Sequence, residues 1–113
     1  MPSPCRHERP DAGTVTAELA VALPAVLLVL AACLGALHVG VEQARLDAAA
    51  AVASRSAARG DPASVAIGRA VTAGAGSVRL ERRSGLVCAR AEATARLLGL
   101  PIPVVGTSCA LAP

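Results

Sequence analysis

The sequence predicts an α+β protein: a long N-terminal membrane-spanning helix packed with a short helix and a small three-stranded antiparallel sheet. Three observations lead to it. The run from Leu19 to Val41 contains no Asp, Glu, Lys or Arg. The next segment, Glu42 to Arg59, is polar and alanine-rich and contains no proline, so it continues the same helix. Beyond Gly76, apolar and polar residues alternate, which is the period of a half-buried strand.

The chain has 113 residues, room for one small domain or one membrane helix plus a small domain. With 54% hydrophobic and only 17% charged residues, it does not have the composition of a disordered chain. It has no Phe, Tyr or Trp, so a large globular core is not expected. The net charge of +3 comes from dispersed arginines with no aromatic residue on which a base could stack, which argues against nucleic-acid binding.

The elements follow in chain order. Residues 1–13 form a polar leader whose three prolines argue against regular structure. The helix is expected from Thr14 to Arg59. Its first part, residues 14–41, is the membrane span. As a helix, Leu19–Val41 extends roughly 34 Å at ~1.5 Å per residue, enough for a bilayer core of about 30 Å. Pro24 lies inside the helix, where it removes a backbone hydrogen bond and favours a kink; membrane helices tolerate this. The polar extension, residues 42–59, carries charges on a solvated face (Glu42 and Arg45, Arg55 and Arg59), and Gly60 suits its C-terminal cap. Residues 60–113 form the small α+β domain. There Asp61 is expected to cap a short helix, with Pro62 in its first turn, running to about Ala73 before Gly74-Ala75-Gly76 breaks it.

Three strands are then expected. Ser77–Arg83 alternates, and Ser84-Gly85 is a turn signal. From Val87 to Leu97 the odd positions are apolar and most of the even ones polar. Ala, Glu, Arg and Leu are also helix formers, so a helix over Ala89–Leu98 capped by Gly99 is the alternative. Leu98–Pro103 reads as a connection, and Val104–Leu111 as the third strand.

Cys88 and Cys109 are placed symmetrically about Leu98-Gly99, so a hairpin would set them opposite each other. A disulfide there would staple a small domain, worth roughly 3 kcal/mol in the chain-entropy model, and would place that domain outside the cytoplasm. Two free buried thiols are the alternative. Arginines on both sides of the span leave orientation unsettled by charge alone.

The most informative segment is Gly13-Thr14-Val15-Thr16-Ala17-Glu18-Leu19: a glycine ends the leader, one glutamate follows, and the apolar span begins. Glycine, four residues, glutamate and a hydrophobic helix resemble the cleavage site of type IV prepilins. The longer string TVTAELAVALPAVLLVL is similar to TadE-like pseudopilins of the tight-adherence, or Flp-type, pilus system. The resemblance is specific over residues 13–30 and a matter of pattern elsewhere. It implies a pilin-like fold and cleavage between Gly13 and Thr14 by a prepilin peptidase on the cytoplasmic side. It also implies that Glu18 pairs with the N-terminal amine of a neighbouring subunit. The implied partners are other pilin or pseudopilin subunits, the pilus assembly platform in the membrane and the lipid bilayer. The implied location is a single-pass cell membrane protein with a cytoplasmic leader and an extracytoplasmic C-terminal domain. Major pilins of that system are much shorter, so the chain fits a minor or priming subunit.

Helix packing would use Pro24 and the small residues Ala32, Ala36 and Gly40, continued by Ala44 and Ala48, at four-residue spacing. A chain this rich in alanine also produces such spacing by chance. The competing motif is Leu30-Ala31-Ala32-Cys33, a lipobox, which would make the chain a lipoprotein anchored through Cys33 with a downstream binding domain. Against it, the residues after Cys33 stay apolar where a polar tether is usual; the plain alternative is a small membrane-buried cysteine. The only histidines, His7 and His38, lie in the leader and the span, so no Ser-His-Asp or Cys-His site is expected in the C-terminal domain. No metal pattern or phosphate loop is present, and no enzymatic activity and no cofactor are expected.

Overall fold

The computed structural model describes residues 1–3 and 11–113, with side-chain surroundings for residues 1–3 and from Gly13 onward. The leader residues Cys5, Arg6, His7 and Arg9 lie outside the described residues. The element order is α1 (Asp11–Ala58), α2 (Ala63–Thr72), β1 (Ser77–Arg83), β2 (Leu86–Leu97) and β3 (Leu100–Leu111). The fold is the expected one: a long apolar N-terminal helix, one short helix and a three-stranded antiparallel sheet in a pilin-like α+β arrangement.

α1 starts at Asp11, ahead of the expected Thr14, and runs unbroken through Pro24 to Ala58. A single helical glycine costs only about 1 kcal/mol, which a long nucleated helix absorbs, so Gly13 does not stop it. Two compact units are present, Met1–Leu34 and Gly35–Pro113. In the first, every side chain from Gly13 to Leu34 is exposed. The 18-residue window that defines the candidate span has a mean hydropathy of 2.6 and is 0% buried. A soluble core helix of that composition would be covered, so α1 has the length and composition of a membrane-crossing helix.

The second unit is built on alanine. α1 contributes Leu46, Ala49, Ala50, Ala53 and Ala57, one helical face, to its core. The sheet contributes Val87, Ala89, Ala91, Ala95 and Val104, and α2 contributes Ala66 and Ala70. Small side chains on both surfaces let helix and sheet approach closely. Gly106 is the extreme case: a Cβ there would overlap the α1 backbone at Leu46 and Asp47.

The sheet order is β1-β2-β3, and both connections are two-residue turns. Ser84-Gly85 and Leu98-Gly99 all have positive φ (49°, 79°, 51° and 81°), the signature of type I′ hairpins. Residues 89–97 are therefore strand. Their alternation lets every second side chain bury against α1, and tertiary burial overrides the helix propensity of Ala, Glu and Arg.

Residues 100–103, expected in a connection, belong to β3 instead. The tight turn at Leu98-Gly99 starts pairing at once, with Leu97 opposite Leu100. Pro101 and Pro103 fit because β3 is an edge strand and both fall at positions opposite Arg96 and Thr94 whose N–H would point away from β2.

The expected cap at Asp61 is also corrected. Pro62 occupies the N-cap of α2 with no side-chain hydrogen bond, and the helix ends at Thr72, with Ala73 as its C-cap. Gly60 caps α1 as expected, at φ 94°. Its N–H donates to the Ala57 carbonyl and that of Asp61 to the Ser56 carbonyl, a Schellman pair. Gly74 closes α2 the same way, through Val71 and Ala70.

Candidate functional site

The candidate processing segment lies on the first turns of α1. Gly13 is exposed and helical, and a Cβ there would meet nothing within 4 Å among the described residues. Neither its helical backbone nor packing among the described residues requires a glycine at that position. Glu18 lies one turn beyond Thr14, on an apolar strip with Ala17, Val21, Ala22 and Ala25. Among the described residues it makes no ion pair or side-chain hydrogen bond. The helix therefore presents one carboxylate on an otherwise apolar surface.

Ala32, Ala36 and Gly40 are exposed, as are Ala44 and Ala48 further along. At Gly40, too, an added Cβ would meet nothing within 4 Å. The Ala44–Ala48 end of this stripe points away from the α1 face that carries Leu46, Ala49, Ala50 and Ala53. Cys33 is a free, exposed thiol within the unbroken helix, which continues to Ala58.

In the C-terminal unit Cys88 and Cys109 are directly opposite in register and joined by a disulfide. The type I′ turn fixes the pairing order, so this pair falls at a non-hydrogen-bonded position, where side chains come closest. The disulfide lies on the outer face of the sheet. Val87 and Ala89, on either side of Cys88, turn inward, and Cys109 is exposed.

One cluster was not legible in the sequence. The buried Ser56 Oγ donates to Asp61 Oδ2 at 2.6 Å. Arg69 Nη1 donates both to Ser56 Oγ at 2.8 Å and to Asp61 Oδ2 at 2.6 Å. The Ser56 hydroxyl, and then the neighbouring Arg69 guanidinium, hold the Asp61 carboxyl below its ordinary value. The cluster ties the end of α1 to α2 through Ser56 Oγ, Asp61 Oδ2 and Arg69 Nη1, and has the form of a structural tie. The signal was present as an Asp just beyond a helix and an Arg on the next, but the sequence alone did not reveal Ser56 as buried. A second tie joins α1 to the β3 edge: Gln43 Nε2 donates to the Val105 carbonyl at 2.7 Å.

Among the described residues, no group of three or more His, Cys, Asp or Glu side chains is placed to hold a metal ion. No family model matches the chain, and no curated protein or solved structure matches it either. The structure establishes one helix long and apolar enough to cross a membrane, joined to a disulfide-stapled α+β unit.

Proposed function

We propose that the chain is a structural minor pilin or pseudopilin, acting in assembly or initiation of a tight-adherence type IV pilus or related secretion system. In this reading a prepilin peptidase cuts after Gly13, and α1 from Thr14 onward anchors and packs the subunit. Glu18 pairs with the amine of a neighbour. The leader is cytoplasmic and the stapled unit extracytoplasmic, because disulfides persist in oxidising compartments.

The observation that carries the reading is Gly13. It sits in a helix, where glycine is unfavourable, and a Cβ there would meet nothing within 4 Å among the described residues. A requirement from outside the fold, recognition by a peptidase, accounts for it. The unpaired Glu18 supports the same reading: a carboxylate at the edge of an apolar span is costly until it finds a cation.

The test is the mature N-terminus, read by mass spectrometry on a C-terminally tagged copy in its own host. The expected start is Thr14, lost in Gly13→Ala. A lipidated start at Cys33 would replace the pilin reading with the lipoprotein one. An intact Met1 would leave only a membrane anchor.

A further inference from the structure

We propose that the tip of the β2–β3 hairpin is a second membrane contact, with Leu98 and Leu100 entering the bilayer interface beside α1. The inference rests on α1 crossing a membrane and not on cleavage at Gly13.

The position of the tip comes from three contacts along α1. Gly106 lies against the helix backbone at Leu46 and Asp47. Gln43 bonds the Val105 carbonyl. The Leu97 side chain occupies the space where a Gly35 Cβ would be. The hairpin therefore runs along the helix towards its N-terminus, and its turn stands beside Gly35. From Leu19, the first residue after Glu18, about 20 helical residues cross a bilayer core, which ends near His38. Gly35 falls inside that stretch. The turn reaches roughly 9 Å along the axis below Val41, the last residue of the uncharged run, at ~1.5 Å per residue.

The chemistry of the tip fits that depth. Leu98 is 78% exposed and Leu100 68% exposed, and no charged residue lies between Arg96 and the C-terminus. Leu98 occupies the first central position of a type I′ turn at φ 51°, where Asn, Asp or Gly is preferred and a bare leucine serves neither the turn nor the core. The other turn of the sheet shows the contrast. Ser84 occupies the equivalent position, preceded by Arg82 and Arg83, at the opposite end of β2. The edge of β3 at the tip carries Pro101 and Pro103, which leave no outward N–H to be stranded in a low-dielectric setting. Arg96 is exposed and opposite Pro101, one pair in from the turn, where a long side chain can keep its guanidinium among lipid phosphates. A bilayer is the occupant these features share, because it is continuous with the apolar surface of α1 at the same level.

The test uses the full-length chain with Cys5 and Cys33 replaced by Ser, and one new cysteine carrying an environment-sensitive fluorophore. The positions are Leu98→Cys, Ser84→Cys and Leu28→Cys, with Leu100→Cys as a second tip variant should Leu98→Cys not fold. Retention of the Cys88–Cys109 disulfide checks folding. Each is reconstituted at high lipid excess in mixed zwitterionic and anionic vesicles, with nitroxide lipids quenching near the headgroup or deep in the chains. The tip label is expected to be quenched several-fold more strongly by the shallow nitroxide than the Ser84 label, and the Leu28 label by the deep one. A tip label open to aqueous iodide and untouched by lipid nitroxide, beside a quenched Leu28 label, overturns the inference and leaves the span standing. A blue-shifted tip label that no lipid quencher reaches assigns the tip to a neighbouring subunit and also overturns it. An unquenched Leu28 label removes the span itself, and the inference with it.

Discussion

Gly106 of β3 lies against Leu46 of α1 so closely that a Cβ at position 106 would stand 2.7 Å from the Leu46 carbonyl oxygen. The neighbour is backbone, which cannot swing aside as a side chain can. Gly106→Ala is therefore expected to destabilise the C-terminal unit by about 1–3 kcal/mol through overpacking. Gly68, inside α2 with nothing within 4 Å of an added Cβ, makes the matched comparison. Gly68→Ala is expected to stabilise by about 0.5–1 kcal/mol. Denaturant melts of the two variants in micelles would show opposite shifts. Equal shifts would mean that sheet and helix do not meet at Gly106.

The Cys88–Cys109 staple closes a loop with a sequence separation of 21. Its removal is expected to cost roughly 3 kcal/mol in the chain-entropy model. The check is the melt of the Cys88→Ala, Cys109→Ala double variant against the parent. Alkylation of the unfolded, unreduced protein should leave both cysteines unmodified until a reductant is added. Modification before reduction would contradict the pairing.

Asp61 gives the C-terminal unit an acid-side dependence. Its folded carboxyl is held low by the Ser56 hydroxyl and by Arg69, so the charged form is favoured by folding. The resulting stability is present above the ordinary carboxyl value of 3.8 and is lost as pH falls through the lowered folded value. Asp61→Asn should therefore melt below the parent at neutral pH, and the gap should narrow once pH falls below about 4. A gap that is constant with pH would remove the ionised Asp61 from the explanation.

Glu18 lets the proposed processing and the proposed assembly be tested apart. Glu18→Gln keeps the shape of the side chain and removes its charge. If Glu18 pairs with a neighbour's amine inside the membrane, incorporation into sheared fibres should fall roughly tenfold or more, given the cost of leaving a buried charge unpaired. Cleavage after Gly13 should persist. Undiminished recovery in the fibre fraction would exclude the pairing.

Much of the fold was legible in the sequence because it rests on local rules. The uncharged run Leu19–Val41, the alternation of residues 77–97 and the cap at Gly60 are each dictated by periodicity or backbone chemistry within a few residues. The facing of Cys88 and Cys109 followed from their symmetry about Leu98-Gly99, because a two-residue turn sets the register of everything beyond it. The candidate processing segment was likewise visible as a spacing, Gly13 to Glu18, ahead of an apolar helix.

Other features were decided only in three dimensions. Prolines at 101 and 103 looked like a connection, and became strand because β3 is an edge whose outward positions need no donor. Asp61 looked like a helix cap, and turned instead to a buried serine and an arginine that the chain brings together only after α2 folds back on α1. The apolar Leu98 looked like part of a loop, and the placement of its neighbour Leu97 against Gly35 depends on how far the hairpin runs along the helix. The division has one physical cause. Short-range sterics, hydrogen-bond geometry and hydrophobic period are written into neighbouring residues, and they determined the helix, the strands and the span. Which side chains meet across elements depends on packing distances between alanine surfaces, and those exist only once the sheet lies on the helix.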